Sequence, residues 1–186
     1  NLECLELREK IIGKEHPHYL TSLNNLARSY DAIGEYYKSL DIHLECLELR
    51  EKIIGKEHPN YLQSLNNLGL TYTDLGDYDK AFNIHLECCE GVVDIFGKKH
   101  PKYISCLNNL SIAYSNLGKY HKSLEMDLER LSITEEIIGK EGPDYALALI
   151  NLAGSYSNLG DYNKSLELNS ESLLIREKTL GKKAKI

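Results

Sequence analysis

Leu2 to Pro17 reads LECLELREKIIGKEHP, and Leu44 to Pro59 repeats it letter for letter, an offset of 42 residues. The offset governs the rest of the chain. Prolines fall at Pro17, Pro59, Pro101 and Pro143, and glycines at Gly13, Gly55, Gly97, Gly139 and Gly181. A second glycine column stands at Gly34, Gly76, Gly118 and Gly160. Of the 13 tyrosines, all but Tyr37 lie in three columns, Tyr19/61/103/145, Tyr30/72/114/156 and Tyr36/78/120/162. A period of this size marks a repeat architecture in which each unit is one small helical or β motif.

Within a unit, Tyr19, Leu20, Leu23, Leu26, Ala27, Tyr30 and Ile33 recur at three- and four-residue steps, one stripe of an α-helix starting near Pro17. Proline suits the first helical turn, where its missing N–H has no intrahelical partner. Gly34 closes the run by accepting a left-handed conformation. A second helix is predicted from about Tyr36, with Leu40, Leu44 and Leu47 inward, to Gly55. Each unit is thus an antiparallel helical hairpin, and no hairpin buries both of its stripes alone. The predicted fold is all-α, an α-solenoid of about nine helices in which hairpins stack as a superhelix.

The expected organisation is a single array over 1–186. Residues 1–16 form the second helix of a truncated repeat, followed by units 17–58, 59–100, 101–142 and 143–186. The last helix, about 162 to 180, places Asn169 and Ser170 where earlier units have His43-Leu44 and His85-Leu86, a polarity expected of a terminal cap.

The spacing LxxLAxxYxxxGxY, carried by Leu23, Leu26, Ala27, Tyr30, Gly34 and Tyr36, resembles the tetratricopeptide repeat. Ser39, Ala81, Ser123 and Ser165 stand at the small position of its second helix. The period and the phrases SLNNLARSY, SLNNLGLTY and CLNNLSIAY are similar to the longer variety found in kinesin light chains. The resemblance implies a scaffold whose first helices line a concave groove for extended peptides. The basic clamp that some members use for acidic C-termini is missing. Arg28 is the sole groove cation, so a tryptophan-acidic cargo specificity is not implied either.

Helical geometry alone puts Thr21, Asn25 and Arg28 opposite the packing stripe, with Gln63, Asn67 and Leu70, then Ser105, Asn109 and Ile112, then Asn151 as their equivalents. Asn24, Asn66 and Asn108 repeat beside them. An asparagine amide offers donor and acceptor to a peptide backbone whatever its side chains. The same amides could instead bond across to the neighbouring helix, and both readings stand. Leu70 and Ile112 point to an apolar pocket for an anchor side chain.

Other chemistries find little support. His43/Cys46 and His85/Cys88 pair two soft ligands three residues apart, but zinc asks for four, and units three and four carry Asp127/Arg130 and Asn169/Ser172 there. No metal, cofactor or catalytic residue is expected. His16, His58 and His100 precede the prolines as caps or staples. The five cysteines, Cys4, Cys46, Cys88, Cys89 and Cys106, are read as reduced thiols. Glu48 and Lys52 are expected to form a surface pair.

With 22 basic and 28 acidic residues in mixed order, the net charge of −6 argues against a nucleic-acid surface. No membrane segment or secretion signal is legible, and a cytoplasmic location is the expectation. The chain begins without a methionine, inside a helix, and reads as a piece of a longer protein. The functional expectation is a protein–protein interaction scaffold, an adaptor holding a partner's peptide segment in the groove and not an enzyme. The alternative is the sensor or oligomerisation arm of a larger signalling protein, self-associating through its end helices.

Overall fold

The computed structural model describes residues 2–183. Among them are nine α-helices and no strand: α1 Leu2–Ile12, α2 Pro17–Ala32, α3 Tyr36–Ile54, α4 Pro59–Asp74, α5 Tyr78–Phe96, α6 Pro101–Asn116, α7 Tyr120–Ile138, α8 Pro143–Asn158 and α9 Tyr162–Lys183. None of them is long and apolar enough to cross a membrane.

The predicted punctuation is observed. His16, His58 and His100 are N-caps, each Nδ1 accepting the N–H two residues on at 3.0–3.1 Å. Gly142 takes this place before α8, and no side chain caps that helix. At the hairpin turns Gly76 has φ +78°. Its N–H donates to Thr73 O and the next N–H, of Asp77, to Tyr72 O, closing α4 with a paired C-cap. The same bonds recur after α2, α6 and α8.

The chain divides into two compact units, one running to Ile95 and one from Phe96. In the first, Tyr19, Leu20 and Leu23 of α2 pack with Cys46 of α3, flanked by Leu5, Ile42, Leu49 and Ile53. In the second, Tyr145, Leu149, Leu152 and Ala153 of α8 pack with Leu168 of α9, flanked by Leu124, Leu131, Tyr156 and Ile175. Helices α2 and α8 are thus each covered by second helices on two sides.

Several expectations change. The second helix was expected to turn Leu40, Leu44 and Leu47 inward, but its buried stripe is Ser39, His43, Cys46 and Arg50, while Leu44 is 43% exposed. Helices packed closely on both sides take small groups or polar ones with partners there, which leucine does not provide. Arg50, accordingly, donates to Asn60 O and to Ser64 Oγ (2.9 Å), tying α3 to α4. Tyr19, Tyr61, Tyr103 and Tyr145 are the fully buried tyrosines. The Tyr30 column is half-buried, with Lys38 above Tyr30 and Lys80 above Tyr72.

Lys52 pairs with Glu15 (3.0 Å) rather than with Glu48, because the loop before α2 brings that carboxylate closer. Helix α9 runs to Lys183, past the predicted stop near 180. Asn169 and Ser170 are exposed, but so are Leu166 (67%) and Leu173 (57%), whose counterparts Leu124 and Leu131 pack against α8. The end helix thus carries exposed leucines beside its polar positions.

Candidate peptide-binding face

In the first unit, α2 and α4 lie side by side and bring predicted residues together. Arg28 and Ala32 of α2 and Asn67, Leu70 and Asp74 of α4 line one cavity of about 340 Å³, which Asp31 completes. Leu70 is 42% exposed there. Thr21, Asn25 and Gln63 are exposed on the same helices but outside that lining, and Thr21 Oγ1 is engaged by Pro17 O.

The asparagine column bonds across helices. Asn24 is buried, and its Oδ1 accepts from Asn67 Nδ2 at 3.0 Å. In the second unit the step recurs: the side-chain amides of Asn108 and Asn151, again 43 positions apart, meet at 2.6 Å. Asn66 and Asn109 are half-buried. Ser105 and Ile112 are exposed, Ile112 by 43%. The inter-helix role left open in the sequence is thus occupied in both units, using one amide hydrogen of Asn67 and leaving that residue on the cavity wall.

Two participants were not singled out from sequence. Asp31 accepts from Thr71 Oγ1 (3.1 Å) and lies 3.2 Å from His43 Nε2. Burial holds His43 below the ordinary imidazole range, against the pull of Asp31. A neutral ring facing a carboxylate carries its proton on Nε2, so buried Nδ1 is left without a partner. Burial and the neighbouring Asp31 raise the Asp74 carboxyl above its usual range. The lone cation Arg28 therefore shares its cavity with two acids. Asp31 was legible as the residue one helical turn beyond Arg28, but its column carries Thr73, Ser115 and Ser157, and repetition hid it.

The second is Arg130, buried on α7, which donates to Asn108 Oδ1 and faces the Asn151 amide. On the same helix Asp127 Oδ2 accepts from Ser111 Oγ (2.7 Å) and Ser155 Oγ (2.6 Å). An arginine where other units have Cys46, Cys88 and Ser172 was the available signal, since a buried guanidinium needs acceptors.

The His/Cys pairs are packed between helices. Cys46 Sγ points to Leu20 O and Ser64 Oγ, and Cys88 Sγ to Leu62 O. His85 lies against Gly69, where a Cβ would come within 2.6 Å of its ring. Among the described residues no three metal-ligating side chains converge, and Cys46, Cys88, Cys89 and Cys106 are buried and unbridged. Cys4 lies outside the described side chains.

Family models described as tetratricopeptide repeat match residues 32–92, 104–144 and 146–183. Among solved structures, a Podosopora anserina putative kinesin light chain with nearly identical TPR-like repeats is 23% identical, at a TM-score of 0.81 over 96% of this chain and 84% of that one. BtubC (BKLC) from P. vanneervenii is also 23% identical, at a TM-score of 0.84 over 97% and 72%. MamA from Desulfovibrio magneticus RS-1 is 16% identical, at 0.67 over 95% and 84%. No curated protein compared with the sequence matches it. The likenesses show a shared fold, the α-solenoid of helical hairpins. With the repeat models matching most of its length, the chain belongs to the tetratricopeptide-repeat family.

Proposed function

We propose that this protein–protein interaction scaffold holds an extended segment of a partner protein against the first-helix face of α2 and α4. The observation that carries the reading is the cavity lined by Arg28, Asp31, Asn67, Leu70 and Asp74. Leu70 offers apolar surface to an anchor side chain. Asn67, fixed by its bond to Asn24, presents an amide whose orientation is set before binding, which lowers the entropy lost on association. In the second unit Asn109 and Ile112 on α6 are proposed as contacts for a partner in their own right. Two carboxylates beside one guanidinium favour a segment that is neutral or basic at this point over an acidic one. The reading assigns the chain no catalytic step.

The test is calorimetry with a segment mapped on a peptide array from a captured partner. Leu70→Asp should weaken binding at least tenfold, and Asn67→Ala by about 0.5–1.5 kcal/mol, with the helical circular dichroism unchanged. Unchanged affinity in both, with a large loss on altering Glu48 or Lys52 of α3, assigns binding to the second helices and ends the proposal.

A further inference from the structure

The second repeat departs from its neighbours at two positions that meet at one place. Residues 15 and 52 are Glu and Lys, 99 and 136 are Lys and Glu, and 141 and 178 are Glu and Lys, opposite charges each time. Lys52 is bonded to Glu15 at 3.0 Å, and Lys99 is paired with Glu136. In the second repeat the pair is Glu57 and Asp94, like charges. The other departure is Gly91, where the equivalent residues are Leu49, Ile133 and Ile175.

Without a side chain at 91, a cavity of about 410 Å³ opens between α4 and α5. Leu62 leans into part of the space, its Cδ2 only 2.7 Å from where a Cβ at 91 would be. Leu65 and Ile95 extend this apolar floor, and Glu57, Glu90 and Asp94 stand on the rim. The one cation on the lining, Lys56, is drawn to Glu51 (3.6 Å) and Glu87 (3.9 Å). Among the described residues the three rim acids have no ion pair. An apolar floor beneath an uncompensated acidic rim is complementary to a long aliphatic stem ending in a cation. A planar guanidinium, able to bond carboxylates on two sides, fits better than an ammonium.

We propose that this cavity docks an arginine side chain of a partner protein, its stem over Leu62 and Ile95 and its guanidinium between Glu57 and Asp94. The site goes beyond the binding face proposed above. It uses the Leu62–Leu65 side of α4, whereas Asn67, Leu70 and Asp74 line the other cavity.

The test is a nitrogen-15 NMR titration of the chain with the peptide acetyl-Leu-Arg-Leu-amide and with the same peptide carrying neutral citrulline for arginine, at low salt. The arginine peptide should shift the amides of Glu57, Leu62, Gly91 and Asp94 and bind at least tenfold tighter than the citrulline peptide. Asp94→Lys, which supplies internally the cation that Lys52 supplies in the first repeat, should cut affinity tenfold or more while the spectrum stays folded. Glu57→Gln should weaken it less, and Leu70→Asp should leave it unchanged. Equal binding of the two peptides, indifference to both rim variants, or shifts confined to Arg28, Asn67 and Leu70 each overturns the proposal. The Leu70→Asp arm keeps this result separate from failure of the first-helix reading.

Discussion

His85 shows what one residue carries in this chain. It is buried against the bare Cα of Gly69, and burial pushes its pKa down to about 4. The unfolded chain holds a histidine near the ordinary value of about 6.5. Between those values the unfolded state binds a proton that the folded state refuses, so stability is full above about pH 6.5 and falls as pH drops toward 4. At pH 5 the loss from His85 alone is on the order of 2 kcal/mol. Urea titrations at pH 7 and pH 5 check it, and His85→Gln should shrink the difference, leaving the contribution of buried His43. Its partner position is equally exacting: Gly69→Ala forces a methyl into the ring and should cost roughly 1–3 kcal/mol. Gly154, helical with nothing within 4 Å of its missing Cβ, is the control, and Gly154→Ala should stabilise by about 0.5–1 kcal/mol. If the two alanine variants melt alike, the close approach at Gly69 is wrong.

At the scale of the element, the hairpin is set by its punctuation more than by its apolar stripe. Helix starts at proline behind a capping histidine and stops at a left-handed glycine were legible because cap and turn chemistry are local. The inward face of the second helices was not, because leucines at 40, 44 and 47 lie one residue around from Ser39, His43 and Cys46. Which of two adjacent stripes is buried depends on the neighbouring helices, not on the period. The Asp31–His43 contact was hidden for the same reason: its two residues come from different helices, and no other unit carries the aspartate–histidine combination at these columns. The turn is the part that can be tested alone. Gly76 has φ +78° and open space where a Cβ would stand, so Gly76→Val meets backbone strain and no clash. It should cost about 1–2 kcal/mol in thermal or urea unfolding, and a variant that melts with the parent removes the turn assignment.

Across the whole molecule, repetition made the fold legible and obscured the candidate site. Columns of tyrosine, glycine and proline announce a hairpin many times over, so its reading survives a wrong inward stripe. What stayed hidden are departures from the columns, Asp31 in the α2–α4 cavity, Gly91 in the α4–α5 cavity and, in the second unit, Arg130, and a departure has meaning only once its spatial neighbours are known. Packing follows the same logic. Elements adjacent in sequence are in contact, α1 with α2, α2 with α3, α3 with α4, α6 with α7, α7 with α8 and α8 with α9, and so are the successive first helices α2 and α4. Stability in such a chain is approximately a sum of local hairpin and interface contributions. Tyr145 sits at the centre of the α8–α9 core, and Tyr145→Ala should cost roughly 3 kcal/mol by leaving a cavity there. Hydrogen exchange should then quicken at the amides of α7, α8 and α9 while α2 and α3 keep their protection, since no core contact of Tyr19 or Cys46 involves the altered residue. Should protection instead fall evenly along the chain, the molecule unfolds as one cooperative body, and the account of stability built from neighbouring hairpins is wrong.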